Sequence, residues 1–374
     1  MSAMRYIAKT LQGLEPVLEQ ELQRLGIDGV ERQNRAVCFE GEQADLYKAV
    51  YNCRTALHIL RPVAEFDIEN QQDLYDRVME VAWEKLFAVD AVIAFDTQCF
   101  DSVFTHSQFA SRRVKDAVVD RFRRQFGQRP WVDGKDYRIR IDVYMKRNHV
   151  VVSLDAAGAS LHRRGYKAEQ GRAPVSEVLA AGLIALSGWE PSQDFYDPMC
   201  GSGTIAMEAA MMASAIPAGF YRKDYAFLHW NDYDPNLWKA TRKDADAAIC
   251  EADGRIFASD IQARNVDMVQ ANLVQARLHH DVQLFQADFF KADPPCETGT
   301  LVFNPPYGAR LALPEAEDFY RRIGDTLKQR YTGFEAYVLS AHAEALKHLG
   351  LRTHRRVTLF NGPLECKYYG YRLR

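Results

Sequence analysis

Two stretches of the sequence combine residue types that could perform chemistry, and each directly follows an apolar, strand-like run. The first is DPMCGSGT, residues 197–204, which leads into an apolar, helix-like stretch at residues 205–213. Gly201 and Gly203 would let a ligand approach the backbone, and the start of a helix favours negative charge. Asp197 is unusual for a dinucleotide site and would suit a ligand that carries an ammonium group. The loop therefore favours a nucleotide-like ligand over a plain strand–helix turn.

The second stretch is NPPYG, residues 304–308, which ends the apolar run TLVF at residues 300–303. Two consecutive prolines after an asparagine would stop a strand in any protein. An ordinary turn is therefore one interpretation of NPPYG, and a reaction site is the other. The residues at the ends of the neighbouring predicted strands help to choose between these two interpretations.

Two further predicted strands lie between these stretches, and both end in carboxylates. Asp260 is placed to take the ribose hydroxyls of an adenosine, although an aspartate there could also cap the following helix. Asp288 could accept an adenine amino group and Phe289 could stack on the adenine ring, with a surface turn as the alternative. Ligands bind at the carboxyl ends of the strands in doubly wound sheets, so four polar strand ends favour one shared site.

The elements that would position these residues alternate between strand and helix, which predicts an α/β fold with a parallel sheet and helices on its faces. The predicted strands are residues 193–197, 255–260, 282–288, 300–304 and 335–340, followed by a hairpin of residues 356–361 and 366–374. The first two strands are too far apart in sequence for one crossover. Residues 219–238 therefore have to form an insertion.

The sequence of residues 1–160, which we call the front half, predicts α+β structure. Strands at residues 5–10, 35–41 and 55–66 alternate with helices at 14–26 and 44–54, an order that suits a ferredoxin-like unit. From about residue 70 we predict helices at 73–87 and 109–127 and strands at 91–100, 137–146 and 149–158, the last two joined by a tight turn. The apolar positions of the second helix fall on one side, leaving five basic residues largely to solvent: Arg112, Arg113, Lys115, Arg123 and Arg124.

The charge of the chain is concentrated around that second helix. The whole chain carries a net charge of −3, but residues 105–147 hold twelve basic and five acidic side chains, a net charge of +7. Such a patch is typical of phosphate contacts. A solvated helix face, balanced by acids elsewhere, is the other interpretation.

Composition narrows the class of protein. The 374 residues fit two or three domains. Seven scattered cysteines without a CxxC pair indicate a reducing compartment, and the ten histidines show no metal-ligand spacing with them. The longest apolar run, residues 178–186, is too short to cross a bilayer, and the first residues lack the apolar segment of a secretory signal. We expect a soluble, metal-free, cytoplasmic protein.

The combination of motifs resembles the class I S-adenosylmethionine-dependent methyltransferases, and specifically the RNA guanine-N2 methyltransferases that join a THUMP domain to an NPPY catalytic domain. The shared features are DPMCGSGT, Asp260, Ala-Asp-Phe at 287–289, NPPYG, LHRRGY at 161–166, AP..E..AA at 173–181, PAGF…W at 217–230 and NGPLEC at 361–366. Within this family the whole chain is similar to the amino-terminal half of the bifunctional bacterial 23S rRNA (guanine-N2) methyltransferases.

The resemblance implies a fold, a cofactor and a partner. It implies a ferredoxin-like domain at residues 1–68, an RNA-binding THUMP domain at 69–160, and a Rossmann-like methyltransferase domain with an antiparallel last strand at 161–374. S-adenosylmethionine would be the cofactor, and RNA the partner of the basic helix. The implied cofactor contacts are Asp197, Pro198, Cys200, Gly201, Gly203, Thr204, Asp260, Ile261, Asp288, Phe289 and Asn304. A lone Cys200 favours small packing over a nucleophile.

The implied catalytic residues are Asn304, Pro305, Pro306 and Tyr307. Hydrogen bonds from guanine N2 to the Asn304 oxygen and the Pro305 carbonyl would orient a poorly nucleophilic amine. The prolines would hold that carbonyl in place, and Tyr307 would stack on a flipped base. We expect no catalytic histidine, because the amine becomes acidic only after it is methylated.

Other functions remain open at this point. The acceptor could be a tRNA guanine. Enzymes that methylate adenine in DNA or glutamine in release factors also contain NPPY, but the basic front half of this chain disfavours both substrates. The chain could instead be a non-catalytic RNA-binding ribosome-assembly factor. An NAD-dependent dehydrogenase is disfavoured, because the sequence shows no residue that would act as a partner in hydride transfer. The modified nucleotide is not predicted, and the oligomeric state is left as monomer or weak dimer.

Overall fold

Two β-sheets organise the chain, as seen in a computed structural model that describes residues 3–167, 175–306 and 313–374, without the side chains of residues 313 and 314. The strands are β1 Met4–Thr10, β2 Glu31–Gln33, β3 Ala36–Gly41, β4 Ala56–Asp67, β5 Val92–Phe100, β6 Trp131–Val132, β7 Ile139–Lys146, β8 His149–Asp155, β9 Phe195–Asp197, β10 Ile256–Asp260, β11 Val282–Gln286, β12 Thr300–Phe303, β13 Glu335–Ser340, β14 Thr353–Asn361 and β15 Leu364–Arg372.

Helices cover these sheets. They are α1 Glu15–Arg24, α2 Gln43–Asn52, α3 Gln71–Glu80, α4 Ser107–Phe126, α5 Glu177–Ser187, α6 Thr204–Ala213, α7 Pro235–Asp246, α8 Ala263–Ala276 and α9 Leu313–Arg330. Short 3-10 helices occur at Trp83–Lys85, Ala226–His229 and Ala345–Leu349. Among the helices of the described residues, none has the length and apolarity needed to cross a membrane.

The first sheet has eight strands in the order β2-β3-β1-β4-β8-β7-β5-β6. The long strand β4 pairs with β1 through its first residues and with β8 from Leu60 to Asp67. The ferredoxin-like unit and the THUMP unit, which we expected as separate α+β units, therefore share one sheet. The tight turn is confirmed, since Lys146 pairs with His149 across a two-residue connection.

One predicted helix of the front half is shorter than expected. We predicted a single helix over residues 73–87, but α3 ends at Glu80 and Val81 is extended. Trp83 then turns back into the core, where it is fully buried and its indole N–H donates to the carbonyl of Val78 at 2.9 Å. Burial of this large ring outweighs the helical spacing of the sequence.

The second sheet has seven strands in the order β11-β10-β9-β12-β13-β15-β14. Strands β9 to β13 are parallel, while β15 runs antiparallel to β13 and pairs with β14 in a hairpin. This is the predicted Rossmann-like α/β sheet with its antiparallel end. The strand order reverses between β9 and β12, which is the position where such sheets bind ligands.

The predicted insertion leaves this second sheet and packs on the first half of the chain. Phe227 lies 4.6 Å from Tyr47 between ring centroids, and Trp238 lies 5.5 Å from Tyr51. Arg61 stacks over the ring of Trp230, 4.0 Å from its centroid. The insertion thus joins the two halves through an aromatic core.

Removal of one of these rings should weaken the whole protein. Trp238 is only 8% exposed, so Trp238→Ala is expected to lower the free energy of unfolding by about 3–5 kcal/mol. Trp131→Ala is the matched control, because Trp131 is 66% exposed and its loss should cost less than about 0.5 kcal/mol. Chemical denaturation measures both. Equal losses would show that the insertion does not hold the halves together.

Candidate active site at the switch point

The four polar strand ends lie side by side at one edge of the second sheet. Ala258 pairs with Asp197 and Leu301 pairs with Tyr196, so Asp260 and Asn304 extend past Asp197 on its two sides. Asp260 in turn pairs with Gln286, two residues before Asp288. The sheet register therefore brings the predicted site residues of all four strands to one edge, as expected for parallel strands.

The glycine loop between β9 and α6 adopts a conformation that requires its glycines. Gly201 and Gly203 have φ values of 54° and 78°, which side chains rarely tolerate. A Cβ at Gly203 would meet Val269 of α8 at 2.8 Å, whereas a Cβ at Gly201 would point into open space. Gly203 thus packs the loop on the fold, while the space beyond Gly201 is available to a ligand.

Asp260 holds this loop in place. Its carboxylate accepts hydrogen bonds from the backbone N–H of Gly201 at 3.0 Å and of Gln262 at 2.9 Å. It does not cap the following helix, because Gln262 occupies the position before α8. Both oxygens keep a free lone pair, so ribose hydroxyls could still donate to them.

Asp197 is the least satisfied charged group of the site. Its side chain is 1% exposed, and no side chain among the described residues donates a hydrogen bond to either oxygen. Burial, and then the negative charge of Asp260, raise the pKa of Asp197 well above its usual value, and the backbone N–H groups of Met199 and Ala206 offset only part of that rise. A ligand cation beside this carboxylate would restore its ionised form.

Asn304 presents another buried acceptor at this edge of the sheet. Its side-chain oxygen is buried and accepts no hydrogen bond from the described residues. Buried acceptors without partners are rare in folded proteins, and a ligand that donates to them is one physical reason for their presence. The two acceptors, Asp197 and Asn304, flank the switch point and suit a ligand with an ammonium group beside a substrate with N–H donors. The chain thus fits S-adenosylmethionine.

The other predicted loop residues act mainly through packing or backbone. Cys200 is buried, and burial raises the pKa of its thiol well above normal, so it packs as a neutral group. Its backbone N–H donates to the Ser259 carbonyl at 2.9 Å, and the Pro198 carbonyl accepts from the Ser259 hydroxyl at 3.3 Å. Thr204 is buried at the start of α6, while Ile261 is 59% exposed next to Asp260. Ile261 is therefore free to cover a ligand.

The structure corrects the expectation for Phe289. Its ring is 3% exposed and packs in the core against Phe303 and Tyr331, with centroid distances of 5.7 and 5.5 Å. It is not available to stack on an adenine. Asp288 remains half-buried, and its Oδ1 accepts from the backbone N–H of Phe290 at 3.0 Å. Local sequence could not distinguish a ligand-facing ring from a core ring.

NPPYG is described only in part. Pro305 is buried and Pro306 half-buried directly after β12. Tyr307 lies outside the described residues, so its predicted stacking role stays a prediction.

Sequence reasoning missed a buried polar cluster on the glycine-loop helix. Glu208 of α6 is fully buried and accepts from the hydroxyl of Tyr166 at 3.0 Å, and the Arg164 guanidinium lies 3.4 Å from it. Arg54 of the front half approaches Glu208 at 3.9 Å. Arg164 and Tyr166 of LHRRGY thus hold Glu208 of α6 in place, and Arg54 links it to the front half. A charged residue within an apolar helix, IAMEAAMMA, was the available signal.

The basic helix α4 is less uniformly exposed than predicted. Arg112, Arg123 and Arg124 are exposed, whereas Arg113 and Lys115 are half-buried. Arg113 stacks over Tyr75 at 4.9 Å, and ion pairs join Lys115 to Asp116 and Arg123 to Asp120. Arg112 and Arg124 therefore offer the most accessible positive charge on this helix.

A parallel sheet with this strand order, a glycine loop after its first strand and carboxylates at the next two strand ends define a class I methyltransferase. Within the described residues, no three histidine, cysteine or acidic side chains are arranged to hold a metal ion. None of the seven cysteines, all of which lie within the described residues, forms a disulfide.

Comparison with known proteins identifies the family. The RMKL-like methyltransferase domain model matches residues 164–370, more than half of the chain, the THUMP domain model matches 69–155, and the RlmL ferredoxin-like domain model matches 5–60. The chain belongs to the RMKL-like methyltransferase family, and S-adenosylmethionine is the cofactor that this membership and fold indicate.

Three relatives illustrate the similarity. A Synechocystis protein, provisionally named an RNA methyltransferase, is 35% identical over 98% of this chain and 96% of its own length. A ribosomal RNA large subunit methyltransferase K/L of Psychromonas ingrahamii is 34% identical over 99% of this chain, which spans 50% of that protein. A crystal structure of a provisionally named methyltransferase with S-adenosylhomocysteine has a TM-score of 0.89 at 27% identity, covering 100% of this chain and 99% of that one.

Proposed function

We propose that this protein transfers the methyl group of S-adenosylmethionine to the exocyclic N2 of a guanine in RNA, with 23S rRNA as the first choice of substrate. The observation that carries the proposal is the buried oxygen of Asn304, which accepts no hydrogen bond from the described residues and lies next to the strand ends that suit the cofactor. The names of the two relatives, an RNA methyltransferase and a large-subunit rRNA methyltransferase, support RNA as the substrate.

The cofactor supplies an electrophilic methyl group on a sulfonium. Asp197 would bind the ammonium group, since it is a buried carboxylate without a side-chain partner among the described residues. Asp260 would accept from the ribose hydroxyls and Asp288 from the adenine amino group, while Gly201 and Ile261 would lie against the ligand. Gly203, Thr204, Cys200 and Pro198 would shape the loop.

The residues after β12 would orient the amine. The Asn304 oxygen and the Pro305 carbonyl would accept the two N–H groups of guanine N2, which favours a pyramidal nitrogen with an exposed lone pair. Pro305 and Pro306 restrict the backbone that carries this carbonyl. Tyr307 would stack on the base. No base is needed before attack, because the proton leaves after methylation.

The front half would bind the RNA. We propose a ferredoxin-like domain at residues 1–68, a THUMP domain at 69–160 and a catalytic domain at 161–374, all acting in the cytoplasm. Arg112, Arg113, Lys115, Arg123 and Arg124 would contact phosphates.

Replacing the two most accessible arginines of α4, Arg112 and Arg124, tests the contact with RNA phosphates. The double variant Arg112→Ala, Arg124→Ala should weaken RNA binding and lower the slope of log K against log salt by about 2, because each phosphate contact releases counterions. Arg24→Ala, an exposed arginine of α1, is the matched control. Fluorescence anisotropy over a salt series measures both. An unchanged slope in the double variant would mean that α4 is only a solvated face.

Mapping of modified nucleotides tests the substrate. Mass spectrometry of rRNA and tRNA from cells that lack this gene is expected to show the loss of one N2-methylguanosine in 23S rRNA. Loss in tRNA instead would favour a tRNA guanine methyltransferase. If nothing is lost and calorimetry detects no S-adenosylmethionine binding, a non-catalytic assembly factor becomes the better account.

A further inference from the structure

Exposed aromatic rings are concentrated in the basic part of the front half. In the described ranges, the large hydrophobic side chains that are more than a third exposed include six aromatic ones, and five of these lie between residues 100 and 144. They are Phe100, Phe109, Phe126, Trp131 and Tyr144. Single exposed apolar residues are ordinary, but four of these five rings lie within residues 105–147, the segment of net charge +7, and Phe100 lies just before it, which indicates a binding surface.

Two of these rings form a pair on the face of the first sheet opposite its helices. Along β7, Val143 and Met145 point into the core, so Tyr144 points to the other face, which we call the outer face. Phe100 lies on the neighbouring strand β5, and its ring centroid is 5.8 Å from that of Tyr144. The rings are 50% and 36% exposed. Lys146 and Arg147, both exposed, follow at the end of β7.

The same two strands lead to a polar cavity of about 360 Å³. Arg140 of β7 and Asp96 of β5 line it, together with Tyr137, His162 and Arg163. Arg140 donates to Asp96 at 2.7 Å and lies 3.3 Å from the buried Asp155, which holds the guanidinium in a fixed position. A cavity of this size suits one small polar group such as a nucleotide.

The cavity and the ring pair are close enough for one ligand. Ala94 pairs with Arg140 and Gln98 with Tyr144, so four residues separate the two features along β7. At the usual strand rise, that is about 13 Å. The cavity wall is also tied to the catalytic half, because Arg222 donates to the Ser160 carbonyl at 3.0 Å.

We propose that the outer face binds a single-stranded segment of the RNA, with bases stacked on Phe100 and Tyr144 and one unpaired nucleotide in the cavity. This inference rests on the proposed function, which makes RNA the substrate. Exposed rings beside basic side chains suit unpaired bases, which offer flat faces for stacking. Duplex RNA hides its base faces and is bound through its phosphates and shape, so it would not use these rings. The unpaired segment would enter beside the connection to the catalytic half.

Binding to two matched RNAs tests the proposal. The probes are a fluorescein-labelled 12-mer single strand and the blunt duplex of the same sequence. The variant Phe100→Ala, Tyr144→Ala should bind the single strand about five- to a hundredfold more weakly and the duplex as the wild type does. Tyr144→Phe, which keeps the ring, should bind the single strand normally. Phe220→Ala removes an exposed ring outside the segment and should change neither affinity.

Two results would overturn the inference. One is an affinity of the double variant for the single strand equal to that of Phe220→Ala. The other is an equal loss for the single strand and the duplex, which would indicate duplex binding or a general loss of structure. Failure of the proposed function would give a different result: the wild-type protein would bind RNA but transfer no methyl group.

Discussion

Asn304→Ala is expected to lower kcat for methyl transfer to RNA at least about a hundredfold, with a smaller effect on S-adenosylmethionine affinity. The removed oxygen would bind the amine most strongly as the nitrogen becomes pyramidal, and loss of one such group typically costs this much. Asn304→Asp keeps an acceptor at the same position and should retain more activity than the alanine variant. Single-turnover assays measure the rate, and calorimetry measures the affinity.

Stability separates this role from a structural one. The Asn304 oxygen makes no hydrogen bond with the described residues, so its loss should not lower the free energy of unfolding. Full activity of a folded, cofactor-binding Asn304→Ala variant would refute the proposed role of NPPYG.

Asp197→Asn is expected to weaken S-adenosylmethionine binding at least about thirtyfold while making the free protein more stable at pH 7. Loss of one partner of a buried charge pair costs this much affinity. The gain in stability follows because the pKa of Asp197 is raised well above normal by burial, so its ionised form is costly in the folded state.

The stability gained by Asp197→Asn should depend on pH in a defined direction. A raised folded-state pKa contributes stability below the usual aspartate pKa of about 3.9, and that contribution is lost as pH rises through the folded value. The stability difference between Asp197→Asn and the wild type should therefore be small near pH 4 and grow towards pH 7. Denaturation at a series of pH values measures it. A variant that is less stable at pH 7 and binds the cofactor normally would contradict the account.

The polar strand ends at one edge of the second sheet could be predicted from sequence because their signals are local. The glycines of DPMCGSGT and the prolines of NPPYG act on their own backbone, and each strand end lies next to an apolar run. Parallel alternation of strands and helices then places such ends at one edge. The parallel α/β sheet, its terminal hairpin and the tight turn at Arg147-Asn148 followed from the same local patterns, while the antiparallel last strand was implied by the family resemblance.

The features that sequence missed depend on tertiary burial. Phe289 looks like a ligand-stacking ring beside Asp288, yet Tyr331 and Phe303, distant in sequence, enclose it. The helix after residue 71 ends early because Trp83 turns into the core. The docking of the insertion on Tyr47 and Tyr51 likewise joins residues almost two hundred positions apart. Spacing along the chain carries no signal for such contacts.

Methylation of unmodified RNA by the purified protein is the decisive measurement of the proposed activity. The protein is incubated with S-adenosylmethionine and 23S rRNA from cells that lack this gene, and the digested RNA is analysed by mass spectrometry. We expect N2-methylguanosine to appear with the wild type and to form at least about a hundredfold more slowly with Asn304→Ala. Methylation of another atom, such as adenine N6, or equal product from both proteins would contradict the account.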